Sequence, residues 1–172
     1  MVRDDMHSWA NAKMTHSVHF RKQQHEGSYH RDVKLWFNHK RDKIVYENQW
    51  KKYPPRKLYN DSYDPLALVY GFRRYRVKDI GDLEMSATDG LKTIRAKVKV
   101  HGKEKITVGD IVYNCWKVQP DLKDVGGIFK RSKNAKMVAW FTDDDHRIPV
   151  RLESEVLVGS FVATLVKAEG LK

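Results

Sequence analysis

Histidine is the first residue type here whose spacing could carry chemistry. Of the eight histidines, His16, His19, His25, His30 and His39 fall early in the chain. Imidazoles converging on one point would ligate a transition metal. On a strand, however, His16 and His19 project to opposite faces, because side chains alternate. The sequence suggests a hairpin with Phe20 opposite Val33 and Glu26-Gly27 as its loop. In that register His16 meets Phe37, His19 meets Lys34 and His30 meets Gln23, so no two imidazoles converge. Solvated strand histidines are the preferred reading, and no metal or other cofactor is expected.

Asp143-Asp144-Asp145-His146 is the densest polar cluster. Adjacent carboxylates can hold Mg²⁺ or Ca²⁺, and an enzyme acting through this cluster is one reading of it. Asp is also a favoured turn residue, and the run lies between two apolar strands, which favours a turn. Cys115 sits in Val112-Tyr113-Asn114-Cys115-Trp116, mid-strand, where a buried inert thiol is the usual outcome. Gly126-Gly127 lacks the Lys-Ser/Thr of a phosphate loop, and no nucleophile elbow is present. No catalytic residue is assigned, and a non-enzymatic protein is expected.

The basic residues do form a pattern. Lys+Arg total 33 against 22 Asp+Glu, a formal charge of +11. A hairpin over 91–108 with loop His101-Gly102-Lys103 would set Val98 opposite Ile106. Arg95, Lys97, Lys99 and Lys105 then project from the face opposite the apolar set, with Lys103 beside them in the loop. Such a surface could dock on an anionic polymer or a membrane surface. Lysines also guard exposed strand edges, which is the plainer reading. No base-reading motif accompanies them, so nucleic acid is not an expected partner.

The elements that must position these residues are mostly strands. Runs rich in Val, Ile, Tyr, Phe, Trp and Thr lie between turn signals, at 15–24, 29–37, 43–50, 83–88, 91–100, 104–108, 110–119, 134–142, 147–158 and 160–168. Short connections between them imply antiparallel pairing. One helix is predicted over 64–75, with Asp64 as N-cap and Pro65 at the first helical position. At 172 residues a single domain, 1–172, is expected, of mainly β class, built as an antiparallel meander. One cysteine precludes an internal disulfide. No apolar run approaches the roughly 20 residues of a spanning helix, and the first residues contain no signal-peptide core.

The late strands are apolar on both faces. Val138 and Trp140 point one way, and Met137, Ala139 and Phe141 the other. Both faces therefore need cover: the helix can cover part of one, and the rest needs further strands, a partner chain or an apolar ligand. Phe129, Met137, Trp140, Phe141, Leu157 and Phe161 are the candidate lining of a pocket for a lipid or amphipathic molecule. Parity splits them between two faces, and a filled core is the alternative.

Short motifs in the second half add a resemblance. They are Asp64-Pro65-Leu66, Thr88-Asp89-Gly90, Val98-Lys99-Val100 with Glu104, Ile128-Phe129, Trp140-Phe141-Thr142-Asp143-Asp144, Arg147-Ile148-Pro149-Val150 and Val158-Gly159-Ser160. In order and spacing the chain from about Phe20 onward resembles the bacterial family catalogued as domain of unknown function 3108. The resemblance implies export to the periplasm or cell envelope of Gram-negative bacteria. It also implies a curved, half-barrel-like sheet around a helix, similar to lipoprotein carriers. No catalytic residues carry over. The signal sequence and first strands of the family are expected to be absent, making this a shortened member. The strand at 15–24 would then begin at an open edge able to pair with another chain. Two functions follow as expectations. One is an envelope protein holding an amphipathic ligand on a concave sheet. The other is docking on an anionic envelope polymer or membrane through the basic hairpin.

Overall fold

The structure, a computed structural model, describes residues 2–77, 83–121, 136–156 and 159–170. The chain divides into two compact units, Met1–Arg74 with Met85–Arg95, and Tyr75–Glu84 with Ala96–Lys172. The class is mainly β, and among the described residues there is one α-helix.

The first unit is an antiparallel meander of β1 (Val2–Ala10), β2 (Ser17–Glu26), β3 (Tyr29–Asn38), β4 (Lys43–Asn48) and β5 (Lys51–Lys52). A short β6 (Arg56–Lys57) also pairs with β4. Alternation selects the core: Phe20, Val33, Leu35, Ile44 and Tyr46 point to one side, where Leu58 joins them. β7 (Ser62–Tyr63) and β8 (Glu84–Thr88) pair in parallel. The helix α1 (Pro65–Phe72) lies within the predicted span.

Asp64 caps α1 as expected and does more. Its carboxylate is fully buried. Oδ1 accepts the backbone N–H groups of Leu66 and Ala67, both at 2.9 Å. Oδ2 accepts the hydroxyls of Ser8 and Ser17, both at 2.6 Å. One carboxylate thus joins β1, β2 and the helix N-terminus.

β1 was not foreseen. It pairs along β2 from Val2↔Glu26 to Trp9↔His19, so β2 is flanked on both sides and its expected open edge is covered. The charges of Arg3, Asp4 and Asp5 mask the alternation of Met6, Ser8 and Ala10. The first hairpin is also shifted by two residues. Phe20 faces Leu35, and the loop is Gly27-Ser28 rather than Glu26-Gly27. A shift of two preserves the buried face, which is why patterning alone could not detect it. Arg21 reaches Asp32 diagonally, at 3.1 Å.

The second unit carries β9 (Thr93–Val108) from Ala96 onward, then β10 (Ile111–Pro120), β11 (Lys136–Thr142), β12 (Pro149–Val156) and β13 (Gly159–Thr164). These pair antiparallel in sequence order. The predicted hairpin with loop 101–103 does not form. β9 is continuous, and the turn lies at Gly109-Asp110. Gly102, with φ +115°, serves a bulge: Lys117 pairs with Gly102 and Val118 with Val100, leaving His101 as the extra residue.

Replacing Asp64 should therefore weaken the first unit strongly. D64A removes the cap and strands two serine hydroxyls, a loss of about 3 kcal/mol. D64N retains a capping oxygen and should cost less. Urea titration followed by circular dichroism checks both.

Candidate functional site

The bulge in β9 separates the basic residues that the sequence placed together. Opposed residues share a face, so Lys99 lies with Gln119, whereas Lys103 lies with Trp116 on the other side. Lys97 and Lys99 therefore share one face, and Lys103 and Lys105 the opposite one. Lys103 is also neutralised by Asp143 at 2.6 Å. Arg95 belongs to the first unit, where it meets Asp61 at 3.6 Å and stacks 4.8 Å from the Tyr59 ring centre. The continuous basic face expected from the sequence is not assembled.

The candidate pocket residues are dispersed as parity required. Trp140 packs in a cluster with Cys115 and Val150, flanked by Ile106, Val108, Tyr113 and Val138. Its indole N–H donates to Glu104, and Lys117 and Arg151 lie over its ring. Met137, Phe141 and Phe161 fall on the other face. Phe141 is buried, Met137 half-buried and Phe161 60% exposed. Phe129 and Leu157 lie outside the described residues.

The acidic run behaves as a turn. Asp144 Oδ1 accepts the Thr142 hydroxyl at 2.7 Å and the N–H groups of His146 and Arg147 at 2.9 Å. Burial disfavours its ionised form, but these hydrogen bonds outweigh burial and hold the carboxyl below its ordinary range. Asp143 accepts the Trp116 indole N–H at 2.5 Å. Cys115 is fully buried, and burial first, then Asp144, Glu104 and Asp143, push its thiol up to about 11. It is not an activated nucleophile.

Histidines do converge, contrary to the sequence reading, because the register is shifted. His25 faces His30, with rings 5.0 Å apart, and His16 lies 4.1 Å from His39. His39 Nε2 donates to the Ser17 carbonyl at 2.7 Å. Burial and then His39 lower the pKa of His16.

The face of the first sheet opposite its core is the richer surface. Trp9, His19 and Trp36 are directly opposed across β1, β2 and β3. Their rings follow at 4.9 and 5.4 Å. A second row, His7, Arg21, Lys34, Glu47 and Lys52, runs beside it across five strands. Lys52 lies 5.4 Å from the Trp36 ring centre, and Lys34 lies 4.1 Å from that of Trp50. Trp9 is 48% and Trp50 81% exposed.

Trp50 is held there against backbone preference. β4 and β5 are joined by Gln49-Trp50, between the opposed residues Asn48 and Lys51. Both loop residues have positive φ, +47° and +67°. Such two-residue loops favour Asn-Gly, and a bulky side chain at positive φ costs about 1–2 kcal/mol. The Gln49 side chain and main chain brace the loop by donating to His30 O at 2.7 Å and Asp32 O at 2.9 Å. This face was missed, although Trp36 falls on the polar parity of a strand whose inward set, Val33 and Leu35, is complete.

Comparison with known proteins bears on this geometry. The family model described as "Protein of unknown function (DUF3108)" matches residues 1–166. The match overturns the expectation that the family segment begins near Phe20 with its preceding strands absent. No curated protein matches the chain. The crystal structure titled a beta-barrel-like protein of domain of unknown function DUF1849, from Brucella abortus, is similar. Its TM-score is 0.60 at 13% identity, over 96% of this chain and 72% of that one. The likeness supports a curved, half-barrel type of β fold.

Two outcomes follow. Cys115 should resist a thiol reagent at pH 8 in the native protein and react on unfolding. Neutral His16 should stabilise the fold fully above about pH 6.5, its ordinary value. The unfolded chain binds that proton more readily, so stability should fall as pH drops below 6.5 through the lowered folded pKa. Urea midpoints between pH 8 and pH 5 should decline less in H16Q.

Proposed function

The chain belongs to the DUF3108 family, and we propose that it is a non-enzymatic surface-binding protein that docks on anionic lipid headgroups. Its contact is the outer face of the first sheet, and its setting is the cell envelope. The observation that carries this reading is Trp50, 81% exposed on a loop whose backbone conformation disfavours it. Strain kept at an exposed aromatic points to use of that side chain.

The chemistry fits an interfacial surface. Indole rings sit at the headgroup level of bilayers, with an apolar body and a polar N–H. Lysine and arginine near such a surface contribute about 1 kcal/mol each toward anionic lipid. Lys52 lies on this sheet face over the Trp36 ring. Lys34, over the Trp50 ring, is paired with Glu47 at 3.3 Å, and Arg21 with Asp32 at 3.1 Å, so the two tryptophans carry more of this reading than those charges do. The amphipathic partner expected from the late strands is met in this reading at a membrane surface rather than in an enclosed pocket.

Sedimentation with phosphatidylglycerol-containing vesicles tests the reading. The wild-type protein should bind these and bind neutral phosphatidylcholine vesicles much less, with partial loss in high salt. W50A should lower partitioning about tenfold, from the loss of one buried indole, with urea stability close to that of the wild type, because alanine keeps the Cβ that positive φ disfavours. W50A binding as well as wild type would defeat the proposal.

A further inference from the structure

We infer that the facing imidazoles of His25 and His30 form a surface site for a divalent transition-metal ion of the Cu²⁺, Ni²⁺ and Zn²⁺ class. The inference does not depend on lipid docking.

The site is built by register. Gly27, at φ +60°, and Ser28 turn β2 into β3. That loop sets Glu26 opposite Tyr29 and His25 opposite His30. Directly opposed residues share a face, with Cβ atoms about 4.5–5.5 Å apart. The two ring centres are 5.0 Å apart and the ring planes cross at 61°. Two imidazole nitrogens about 2.0 Å from one tetrahedral ion place their ring centres roughly 5 Å apart. The pair therefore already has the spacing of two ligands on one ion.

Both histidines are exposed, so an ion reaches them from solvent. Among the described residues neither ring takes part in a hydrogen bond or an ion pair. The strand beneath is braced. The Gln49 side chain donates to the His30 carbonyl at 2.7 Å, and the Gln49 N–H donates to the Asp32 carbonyl at 2.9 Å. The other close pair, His16 and His39, is less open. His39 Nε2 donates to the Ser17 carbonyl at 2.7 Å, His16 Nδ1 meets the Thr15 hydroxyl at 3.0 Å, and both residues are half-buried.

Ligand chemistry selects the ion. Imidazole suits copper, nickel and zinc, whereas Ca²⁺ and Mg²⁺ take oxygen ligands. The neighbours add no third protein ligand. Arg3 is opposite His25 on β1, and Asp32, next on the same face of β3, is held by Arg21 at 3.1 Å. No group of three or more ligating side chains occurs among the described residues. Two nitrogens therefore hold the ion, and water fills its remaining positions. Such a site is open and exchangeable, unlike a four-ligand structural zinc.

The test is calorimetric titration of the full chain with NiCl₂ at pH 7.5 in a buffer that does not ligate metals. Saturable one-site binding is expected. H25Q and H30Q should each weaken it at least about tenfold, because two placed ligands act as a chelate and one does not. Far-UV circular dichroism should be unchanged in both, since the residues are exposed. H16Q and H101Q, which remove imidazoles elsewhere, should leave the affinity as it is. Electron paramagnetic resonance of the Cu²⁺-loaded chain gives a second measurement that needs no variant, and coupling to two imidazole nitrogens is expected. No saturation up to about 1 mM Ni²⁺, wild-type affinity in H25Q and H30Q, loss of binding in H16Q instead, or coupling to a single nitrogen would overturn the inference. W50A should leave nickel affinity unchanged, so failure of lipid docking and failure of this site are distinguishable.

Discussion

The buried Asp64 carboxylate is the constraint on which the first unit depends. An ionised group away from water is costly unless its oxygens are filled. Here Ser8, Ser17, Leu66 and Ala67 fill them. The two serines lie on different strands and the two amides open the helix. Satisfying one charge therefore requires β1, β2 and α1 to be present together. The register of β1 on β2 follows from it, and that register sets Trp9 beside His19.

The outer face inherits this order. Trp9, His19 and Trp36 form a row only because three strands are aligned, and Lys34 and Lys52 reach tryptophan rings only because β5 folds back on β4. The Gln49-Trp50 loop is the conspicuous cost, since neither residue favours positive φ. Natural sequences depart from local preference mostly where function or strain requires it. The same sheet ends, past β4, in the Arg56–Lys57 strand, whose like-charged pair with Lys43 is a second local conflict.

The second unit resolves a different conflict. Its strands carry apolar residues on both faces, which a strictly alternating sheet cannot place on one side. The extra residue His101 inverts the parity of β9. Val98 and Val100 then face one way, and Ile106 and Val108 face the other, into the cluster of Cys115, Trp140 and Val150. The inversion is also what divides the lysines. A bulge that serves packing thereby disassembles the basic face that uninterrupted alternation would have built.

The sequence by itself determined the class and the local signals. Asp64-Pro65 marked the helix start, Val33 and Leu35 marked an inward face, and the acidic run at 143–145 read correctly as a turn. The two-sided apolarity of 137–141 was also visible, as was the fate of Cys115. What only tertiary structure decided was register. A two-residue slip brought His25 to His30, a bulge replaced the turn at Gly102, and a strand masked by charge paired at the edge. The physical reason is that alternation has a period of two. It separates inside from outside but does not distinguish registers that differ by two. The choice among them rests on long-range groups such as the Asp64 carboxylate, which lies 56 residues from Ser8 in the chain.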